Sequence, residues 1–290
     1  MSHSNFGGDN IKIGFIGAGK VGFCLGKYFS ENNLNVIGYY SKKFLSAKEA
    51  AMFTDSMYFE NIEELIKECD AIFITTPDGV IKEIWNSINK LSIKNKIICH
   101  CSGSLSSEVF SNIESHNAFG YSIHPMFAIS DKYNSHKNLK KAFITIEGHN
   151  KHIDFFKDMF QKLGNKTKII TIKDKAKYHT ASVVVSNHVI ALVDEAICLL
   201  HEYGFNEKEA IEALTPLINN NIANIGVKGI IQSLTGPVER NDSETIEKHL
   251  NCLNKDDREL YKLLSKKLLK IAKIKNKDKC YENIENMIGE

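Results

Sequence analysis

Residues 11–22 read IKIGFIGAGKVG, an apolar run that passes at once into the glycines Gly17, Gly19 and Gly22. The run has the branched, compact character of a buried strand, and the residues from Gly19 to Ser30 have the apolar spacing of a helix. G-x-G-x-x-G alone is a weak motif, but between a strand and a helix it indicates a turn that binds a dinucleotide pyrophosphate. The less specific interpretation is a helix-entry turn without a ligand.

Each glycine of this turn has a separate physical task. Gly17 permits the tight turn, Gly19 lets the backbone approach the pyrophosphate, and Gly22 lets the helix pack close to the strand. The N–H groups at the start of the helix then face the anion. The predicted cofactor-binding turn consists of Gly17, Ala18, Gly19, Lys20, Val21 and Gly22.

The residues after the second predicted strand indicate which dinucleotide binds. An NAD-binding protein usually places Asp or Glu there for the ribose hydroxyls, whereas this chain has Ser41, Lys42 and Lys43. Two cations and a hydroxyl suit a 2′-phosphate, so the sequence predicts NADP as the cofactor. The alternative is that both lysines are ordinary exposed loop residues.

Outward from this turn, strands and helices alternate, which predicts a doubly wound, mostly parallel α/β sheet of the Rossmann type over residues 11–173. The predicted strands are 11–16, 35–40, 57–60, 71–75, 96–100, 119–123, 142–146 and 169–172. The predicted helices between them are 19–30, 46–52, 62–68, 80–88, 106–113 and 151–163.

From residue 174 onward the pattern becomes helical, and it predicts an all-helical domain over residues 174–290 that serves the substrate and dimerisation. Its predicted helices are 175–203, 207–226, 243–253 and 256–272. No strand is predicted in this part, and no apolar run of transmembrane length.

Ligands of doubly wound sheets lie beyond the carboxyl ends of the strands. The loop from Thr75 through Thr76 and Pro77 to Asp78, and the residues Ser102 and Gly103 after the next strand, are therefore predicted to flank the cofactor. We also predict that Ser102, Ser104 and His124 bind substrate. Thr75–Asp78 as a plain turn and His124 as a structural histidine are the alternatives.

Polar residues recur every fourth position on the first helix of the second domain. Lys175, His179, Val183 and Asn187 form one stripe in a helix that is otherwise apolar and expected to be buried. The functional interpretation makes His179 or Lys175 the proton donor and Asn187 the group that orients a substrate carbonyl. In the structural interpretation Lys175 lies in solvent, and His179 and Asn187 only form hydrogen bonds with neighbouring helices.

Arg240 is one of two arginines in a lysine-rich chain, which favours a role that needs its planar fork, such as binding a substrate carboxylate. Nearby, Asp242 or Ser243 is suited to cap a helix. Both roles are compatible.

These motifs together resemble proteins that combine a Rossmann-like domain with a DUF2520 domain, over about residues 11–270. That family is similar to the 6-phosphogluconate dehydrogenase-like reductases, and some members are understood as a third, non-standard class of ketopantoate reductase in pantothenate synthesis. The matching residues are the Gly17–Gly22 turn, Ser41-Lys42-Lys43 with Ser46-Ala47, Thr76-Pro77-Asp78, Ser102-Gly103, His124-Pro125, Tyr178-His179 with Asn187, and Thr235-Gly236-Pro237 with Arg240 and Asp242.

The resemblance implies an NADP-dependent oxidoreductase that reduces a small 2-oxo acid, with ketopantoate as the named substrate. Ordinary ketopantoate reductases carry Lys, Asn and Asn at four-residue steps on the first helix of the second domain. If Asn187 corresponds to the last Asn, Val183 stands at the position of the first Asn and His179 at the position of the lysine. The proton donor is therefore His179 or, one turn away, Lys175. The family's Arg-Gly-Asp appears as Arg240-Asn241-Asp242, and asparagine can keep the positive-φ turn.

Composition limits the other functions. The chain has 37 basic and 35 acidic residues, for a formal net charge of +2, which gives no reason to expect nucleic acid or a membrane surface as partner. Seven cysteines without a C-x-x-C pair predict a reduced, cytoplasmic protein, and no metal site is predicted. The polar residues 1–10 are not expected to be a signal peptide. Apolar helices in the second domain predict a homodimer.

Two other functions fit the same fold. One is a non-catalytic NADP-binding sensor or scaffold, and the other is an imine reductase resembling pyrroline-5-carboxylate reductase. The polar stripe and Arg240 favour catalysis over sensing. A carbonyl substrate needs a proton donor, whereas an imine that is already protonated needs one less.

Overall fold

The computed structural model describes residues 11–289, so the predicted polar tail at residues 1–10 lies outside the described part. The chain divides into two compact units, Met1–Val189 and Ile190–Glu290. The domain boundary was predicted at 173/174, which is 16 residues before the division at 189/190. The helix Lys175–Val185 therefore belongs to the first unit, in which Lys175 is buried.

The first unit is built on one eight-stranded sheet. Its strands are β1 (Ile13–Ile16), β2 (Val36–Tyr40), β3 (Met57–Phe59), β4 (Ala71–Ile74), β5 (Ile97–His100), β6 (Phe119–Met126), β7 (Phe143–Gly148) and β8 (Lys166–Ile169). The spatial order is β3-β2-β1-β4-β5-β6-β7-β8. The strand numbers fall from β3 to β1 and then rise from β4 onward, so the topological switch point lies between β1 and β4. This is the doubly wound Rossmann-like arrangement that the alternating pattern predicts.

All pairs in the sheet are parallel except β6 with β7, which run antiparallel with Ser122 directly opposite Glu147. The last strand was predicted at residues 169–172, and that prediction is wrong. β8 ends at Ile169, and a 3₁₀ turn follows at Ile172–Asp174. The β-branched residues 169–172 suggested a strand, but the strand lies just before them, at the edge of the sheet, with lysines at alternate positions.

Helices cover both faces of the sheet. They are α1 (Lys20–Glu31), α2 (Phe44–Thr54), α3 (Ile62–Glu68), α4 (Asp78–Ile88) and α5 (Ile153–Lys162). The helix predicted at 106–113 is absent; two 3₁₀ turns, Ser107–Val109 and Ile113–His116, take its place. Asn112 adopts a left-handed φ of 58° between them, which an α-helix cannot accommodate.

The sheet is buried on both faces by large side chains. Every residue of β1, β4 and β5 is buried, as expected for central parallel strands. One face packs around Phe15 and Phe73, whose rings lie 5.7 Å apart, and the other around Trp85 and Phe110. This packing fixes the strand ends at which the candidate site lies.

The rest of the chain is helical. Its helices are α6 (Lys175–Val185), α7 (Asn187–His201), α8 (Glu207–Ser233), α9 (Pro237–Arg240), α10 (Ser243–Cys252), α11 (Lys255–Lys275) and α12 (Glu282–Ile288). The predicted helix 175–203 is interrupted at Ser186, whose N–H bonds to Val183 O in a tighter turn. α8 runs past its predicted end at 226 and kinks at Gly229, where φ is 75°.

The prediction that α6 is buried is also wrong, because Lys175 is its only buried residue. Val185, Ile190, Leu217, Ile222 and Val227 of α6, α7 and α8 are all more than 60% exposed. Residues 175–201 have a window of mean hydropathy 1.8, so by length and composition one helical segment could cross a membrane, contrary to the sequence prediction. One such segment is weak evidence for a membrane span, because helices that pack in soluble proteins share this composition.

Candidate functional site

The glycine turn has the geometry that its sequence predicts. Gly17 has a φ of 106°, and its N–H donates to Tyr40 O at 2.8 Å while its carbonyl accepts from Thr75 Oγ1 at 2.8 Å. A Cβ on Gly22 would lie 2.5 Å from Gly17 O, so only glycine allows α1 to approach β1 this closely. A Cβ on Gly19 would meet nothing within 4 Å, which leaves open space beside the start of α1.

No side chain caps α1, so the first N–H groups of this helix face the open space beside Gly19. A cavity of about 690 Å³ lies here, large enough for a cofactor. Nine predicted cofactor residues line it: Gly17, Ala18, Gly19, Ser41, Lys42, Lys43, Thr75, Thr76 and Pro77. The predicted residues Lys20, Val21, Gly22, Asp78, Ser102 and Gly103 do not line it.

Lys42 and Lys43 are exposed at the entry of α2, and Ser41 is half-buried beside them. No carboxylate lies among the residues 40–43 that line this end of the cavity. Residues 40–43 therefore carry a net positive charge, which suits an anionic group on the ribose. Glu83 also lines this cavity, and Glu60 lines an adjacent pocket with Ser41 and Lys42. The geometry of this loop fits the predicted 2′-phosphate site.

Ser102 and Ser104, predicted to bind substrate, use their hydroxyls to hold Asp78. Ser102 Oγ donates to Asp78 Oδ2 at 2.7 Å, and Ser104 Oγ donates to the same oxygen at 2.9 Å. Ser102 Oγ also accepts from Ser104 N and Leu105 N. These bonds tie the loop after β5 to the start of α4, so in this structure both serines order the loop.

Lys175 is the charged side chain at the centre of the site. It is 2% exposed, and its Nζ donates to Ser102 O at 3.1 Å and to Ser122 Oγ at 2.8 Å. The structural interpretation, which placed Lys175 in solvent, is wrong. Burial lowers the pKa of Lys175 to about 8, against the opposing influence of Glu147, Cys101 and Asp78. An ammonium has three protons, so Lys175 can serve one more acceptor while keeping both serine contacts.

Imidazoles surround this lysine. His124 Nδ1 and Tyr178 Oη are 2.8 Å apart, and the rings of His124 and His179 are 6.0 Å apart. Burial, reinforced by Lys175 and His179, lowers the pKa of His124 to about 4, so the ring is neutral at physiological pH. His179 Nδ1 is buried and has no hydrogen-bond partner among the described residues.

Gly103 explains how these rings approach each other. A Cβ there would lie 2.4 Å from His179 Nδ1 and 2.9 Å from His124 Nε2. The predicted role of Gly103 was cofactor contact, whereas in this structure it makes room for both histidines. Lys175, His124 and His179 thus form one polar cluster at the carboxyl end of β5 and β6.

Asn187 does not join this cluster. The interruption at Ser186 ends α6, and Asn187 begins α7 with an exposed side chain whose Oδ1 accepts from Ser186 Oγ at 3.1 Å. The prediction of one continuous stripe through Asn187 is therefore wrong in this structure.

Arg240 lies in the second unit at the end of α9, with its side chain 59% exposed and its Nη2 3.8 Å from Asp242 Oδ2. Asn241 has a φ of 63°, so the predicted turn is kept. Asp242 caps α10 by accepting from Thr245 N at 3.0 Å, which confirms the capping prediction. An exposed guanidinium beside a capping carboxylate can still bind a second carboxylate.

Two residues of the cluster escaped the sequence analysis, namely Ser122 and Glu147. Both are fully buried, at 0% and 2% exposure, in strands whose other buried residues are mostly apolar. A polar residue on a buried strand needs a hydrogen-bond partner. The presence of Ser and Glu in these predicted strands was therefore the signal that could have identified them. Tyr178 was noted only as part of the family resemblance.

Comparison with known proteins agrees with this architecture. Residues 2–125 match the model of a Rossmann-like domain, and residues 142–268 match the model of DUF2520, a domain of unknown function. The chain thus combines the two domains that its motifs resemble. No curated protein matches the sequence.

Solved structures share the fold. A candidate NADP oxidoreductase from Bacteroides fragilis is 22% identical, with 91% of this chain and 99% of that chain covered at a TM-score of 0.73. A protein from Thermotoga maritima is 24% identical, with 91% and 99% covered at 0.72. Pyrroline carboxylate reductase from Plasmodium falciparum, with NADP bound, is 16% identical, with 93% and 98% covered at 0.58. At these identities the likeness establishes the fold.

Proposed function

We propose that this chain, a Rossmann-like domain followed by DUF2520, is an NADPH-dependent oxidoreductase that reduces a small 2-oxo acid. The observation that carries the proposal is Lys175, a buried ammonium with a pKa of about 8 that contacts Ser102 after β5 and Ser122 of β6. A proton donor with a pKa near the working pH is what carbonyl reduction requires. The cofactor would supply the hydride.

The residues of the chain would divide the remaining work. The N–H groups of α1 and the side chains of Lys42 and Lys43 would hold the phosphates. Lys175, fixed by Ser102 O and Ser122 Oγ, would direct its third proton to the substrate oxygen and stabilise the developing alkoxide. Neutral His124 would line the same cluster without competing for the charge, with the His179 ring 6.0 Å from it.

Ketopantoate, reduced to pantoate in pantothenate synthesis, is the substrate we propose, on the strength of the family resemblance. Its carboxylate would need a cation, and Arg240 is the residue we propose for that contact, worth about 1.5–3 kcal/mol as charged hydrogen bonds. Asn187, although exposed here, stays our candidate for orienting the carbonyl.

The decisive experiment measures NADPH oxidation by the purified protein with ketopantoate, other 2-oxo acids and cyclic imines. It is paired with rescue of a pantothenate auxotroph that lacks its own reductase. We expect turnover of ketopantoate together with rescue. Protein that binds NADPH but gives neither result would refute the ketopantoate assignment.

An imine reductase is the second candidate, favoured by the fold shared with pyrroline carboxylate reductase and with a reductive aminase from Aspergillus terreus. Turnover of a cyclic imine without turnover of any 2-oxo acid would select it. A non-catalytic sensor would bind NADPH and turn over nothing.

NADPH is expected to bind more tightly than NADH because Lys42 and Lys43 meet the 2′-phosphate that only NADPH carries. Replacing both with alanine should weaken NADPH at least about tenfold and leave NADH affinity nearly unchanged. Titration by nicotinamide fluorescence measures both affinities. Lys48→Ala, at an exposed lysine of α2 outside the cavity lining, is the control and should change neither. Equal affinity of the wild type for both cofactors would contradict this prediction.

We also propose that the chain forms a homodimer through α6, α7 and α8, whose exposed apolar side chains favour a second helical surface. Light scattering should then give twice the chain mass of 32.7 kDa at micromolar concentration. Ile222→Lys with Val227→Lys should yield monomer, because two buried charges would disfavour the interface. Met52→Lys, at an equally exposed apolar residue of α2, should stay dimeric. A monomeric wild type would exclude the dimer.

A further inference from the structure

We propose that Glu147 is a positioning residue for the proton donor: its buried carboxylate, opposite Ser122 in the sheet, holds the Lys175 side chain in its charged form. The inference rests on the proposed function only for its catalytic consequence. The electrostatic coupling between Glu147 and Lys175 can be measured on its own.

The sheet register brings the two residues together. Ser122 of β6 and Glu147 of β7 are directly opposite in the antiparallel pair, so their side chains leave the same face with Cβ atoms about 4.5–5.5 Å apart. Lys175 Nζ donates to Ser122 Oγ at 2.8 Å on that face. The ammonium thus contacts the residue that is paired with Glu147 in the sheet, on the face from which the Glu147 side chain leaves.

Glu147 is held in place independently of Lys175. Its Oε2 accepts from Ser107 N at 2.8 Å and its Oε1 from Ser107 Oγ at 2.6 Å, at the start of the 3₁₀ turn Ser107–Val109. Two donors from one residue hold the buried carboxylate in a fixed position. These bonds account for both carboxylate oxygens and leave the net negative charge to act on its surroundings.

Lys175 needs such a charge because its own surroundings disfavour an ammonium. The titratable groups near it are Asp78 of α4, His100 of β5, Cys101 after β5, His124 of β6, Glu147 of β7 and Tyr178 of α6, whose ring centroid is 5.7 Å from Lys175 Nζ. His179 of α6 lies beside His124. Burial lowers the pKa of Lys175, and Glu147 is the strongest of the groups that raise it. His100 and His124 are neutral at pH 7, since burial lowers the pKa of each to about 4.

The test follows the titration of Lys175 in the full chain by NMR of lysine labelled with ¹³C at Cε, with the Lys175 signal assigned by its loss in Lys175→Met. Glu147→Gln should move the Lys175 midpoint down by about one pH unit or more. Glu108→Gln removes the same charge from an exposed residue on the same 3₁₀ turn and should leave the midpoint in place.

Glu147→Asp keeps the charge but withdraws it by one methylene, so its midpoint should lie between the wild type and Glu147→Gln. If Glu147→Gln does not fold, a downward shift in Glu147→Asp supports the coupling and an unmoved midpoint overturns it. A midpoint unmoved in Glu147→Gln likewise overturns the proposal.

The pH profile of turnover separates this inference from the proposed function. If Lys175 is the proton donor, the alkaline fall of turnover moves down with the Lys175 midpoint in Glu147→Gln. If the midpoint moves and the profile does not, the coupling stands and the catalytic role of Lys175 fails.

Discussion

Replacing Lys175 with methionine is expected to lower turnover by about 10²–10⁴-fold, the range typical for loss of a general acid. The methionine keeps the length and apolar stem of the side chain but removes the proton that would reach the substrate oxygen. Affinity for NADPH should change little, because Lys175 does not line the cofactor cavity. Steady-state kinetics together with fluorescence titration measure the two effects.

The role of Lys175 as proton donor also predicts the direction in which turnover changes with pH. Lys175 donates only when charged, so turnover of the wild type should fall as the pH rises through about 8, its pKa in the folded protein. His179→Ala is the informative companion variant, because the sequence left Lys175 and His179 as alternative donors. Near-full turnover in Lys175→Met with a large loss in His179→Ala would transfer the role to His179.

Gly19→Ala should weaken cofactor binding without lowering stability, whereas Gly22→Ala should lower the stability of the fold. Gly19 has a φ of −85°, and its Cβ would enter empty space, so Gly19→Ala should fold normally. That same space must receive the pyrophosphate, and the added methyl group should weaken NADPH by about tenfold or more. Thermal unfolding and cofactor titration on each variant test the pair.

In Gly22→Ala the methyl group would meet Gly17 O at 2.5 Å and Thr75 Oγ1 at 2.7 Å, and the first of these is backbone. α1 would have to move away from β1, at a cost of about 1–3 kcal/mol in the free energy of unfolding. Gly226→Ala, in α8 with nothing within 4 Å of its Cβ, is the control and should not destabilise. An unstable Gly19→Ala with normal cofactor affinity would contradict this reading of the turn.

The sheet was predictable because its signals are local. β1, β4 and β5 are continuous apolar runs, and the glycines between β1 and α1 have only one common structural meaning in that position. The helix predicted at 106–113 failed because Asn112 requires a left-handed backbone that spacing does not reveal. β8 was misplaced because residues 169–172 are more β-branched than the lysine-containing strand that precedes them, Lys166–Ile169.

The site was less predictable because it depends on long-range contacts. The periodicity of α6 singled out Lys175 and His179 as alternative proton donors, but it did not indicate that Lys175 would be the buried one. Ser122 and Glu147 acquire their importance from the antiparallel register of β6 and β7, which residues so far apart in sequence do not specify. The spacing also did not reveal the interruption at Ser186, after which Asn187 begins α7 with an exposed side chain.

The buried position of Lys175 also has a thermodynamic consequence for folding. In the unfolded chain its pKa is that of an ordinary lysine, 10.5, and folding lowers it to about 8. Between these values the unfolded chain binds more protons, so stability should rise with pH across this window, and below it the penalty is present in full. At about 1.4 kcal/mol per pKa unit, the penalty is about 3 kcal/mol. Lys175→Met should therefore melt at a higher temperature than the wild type at pH 7, as expected where a protein sacrifices stability for chemistry.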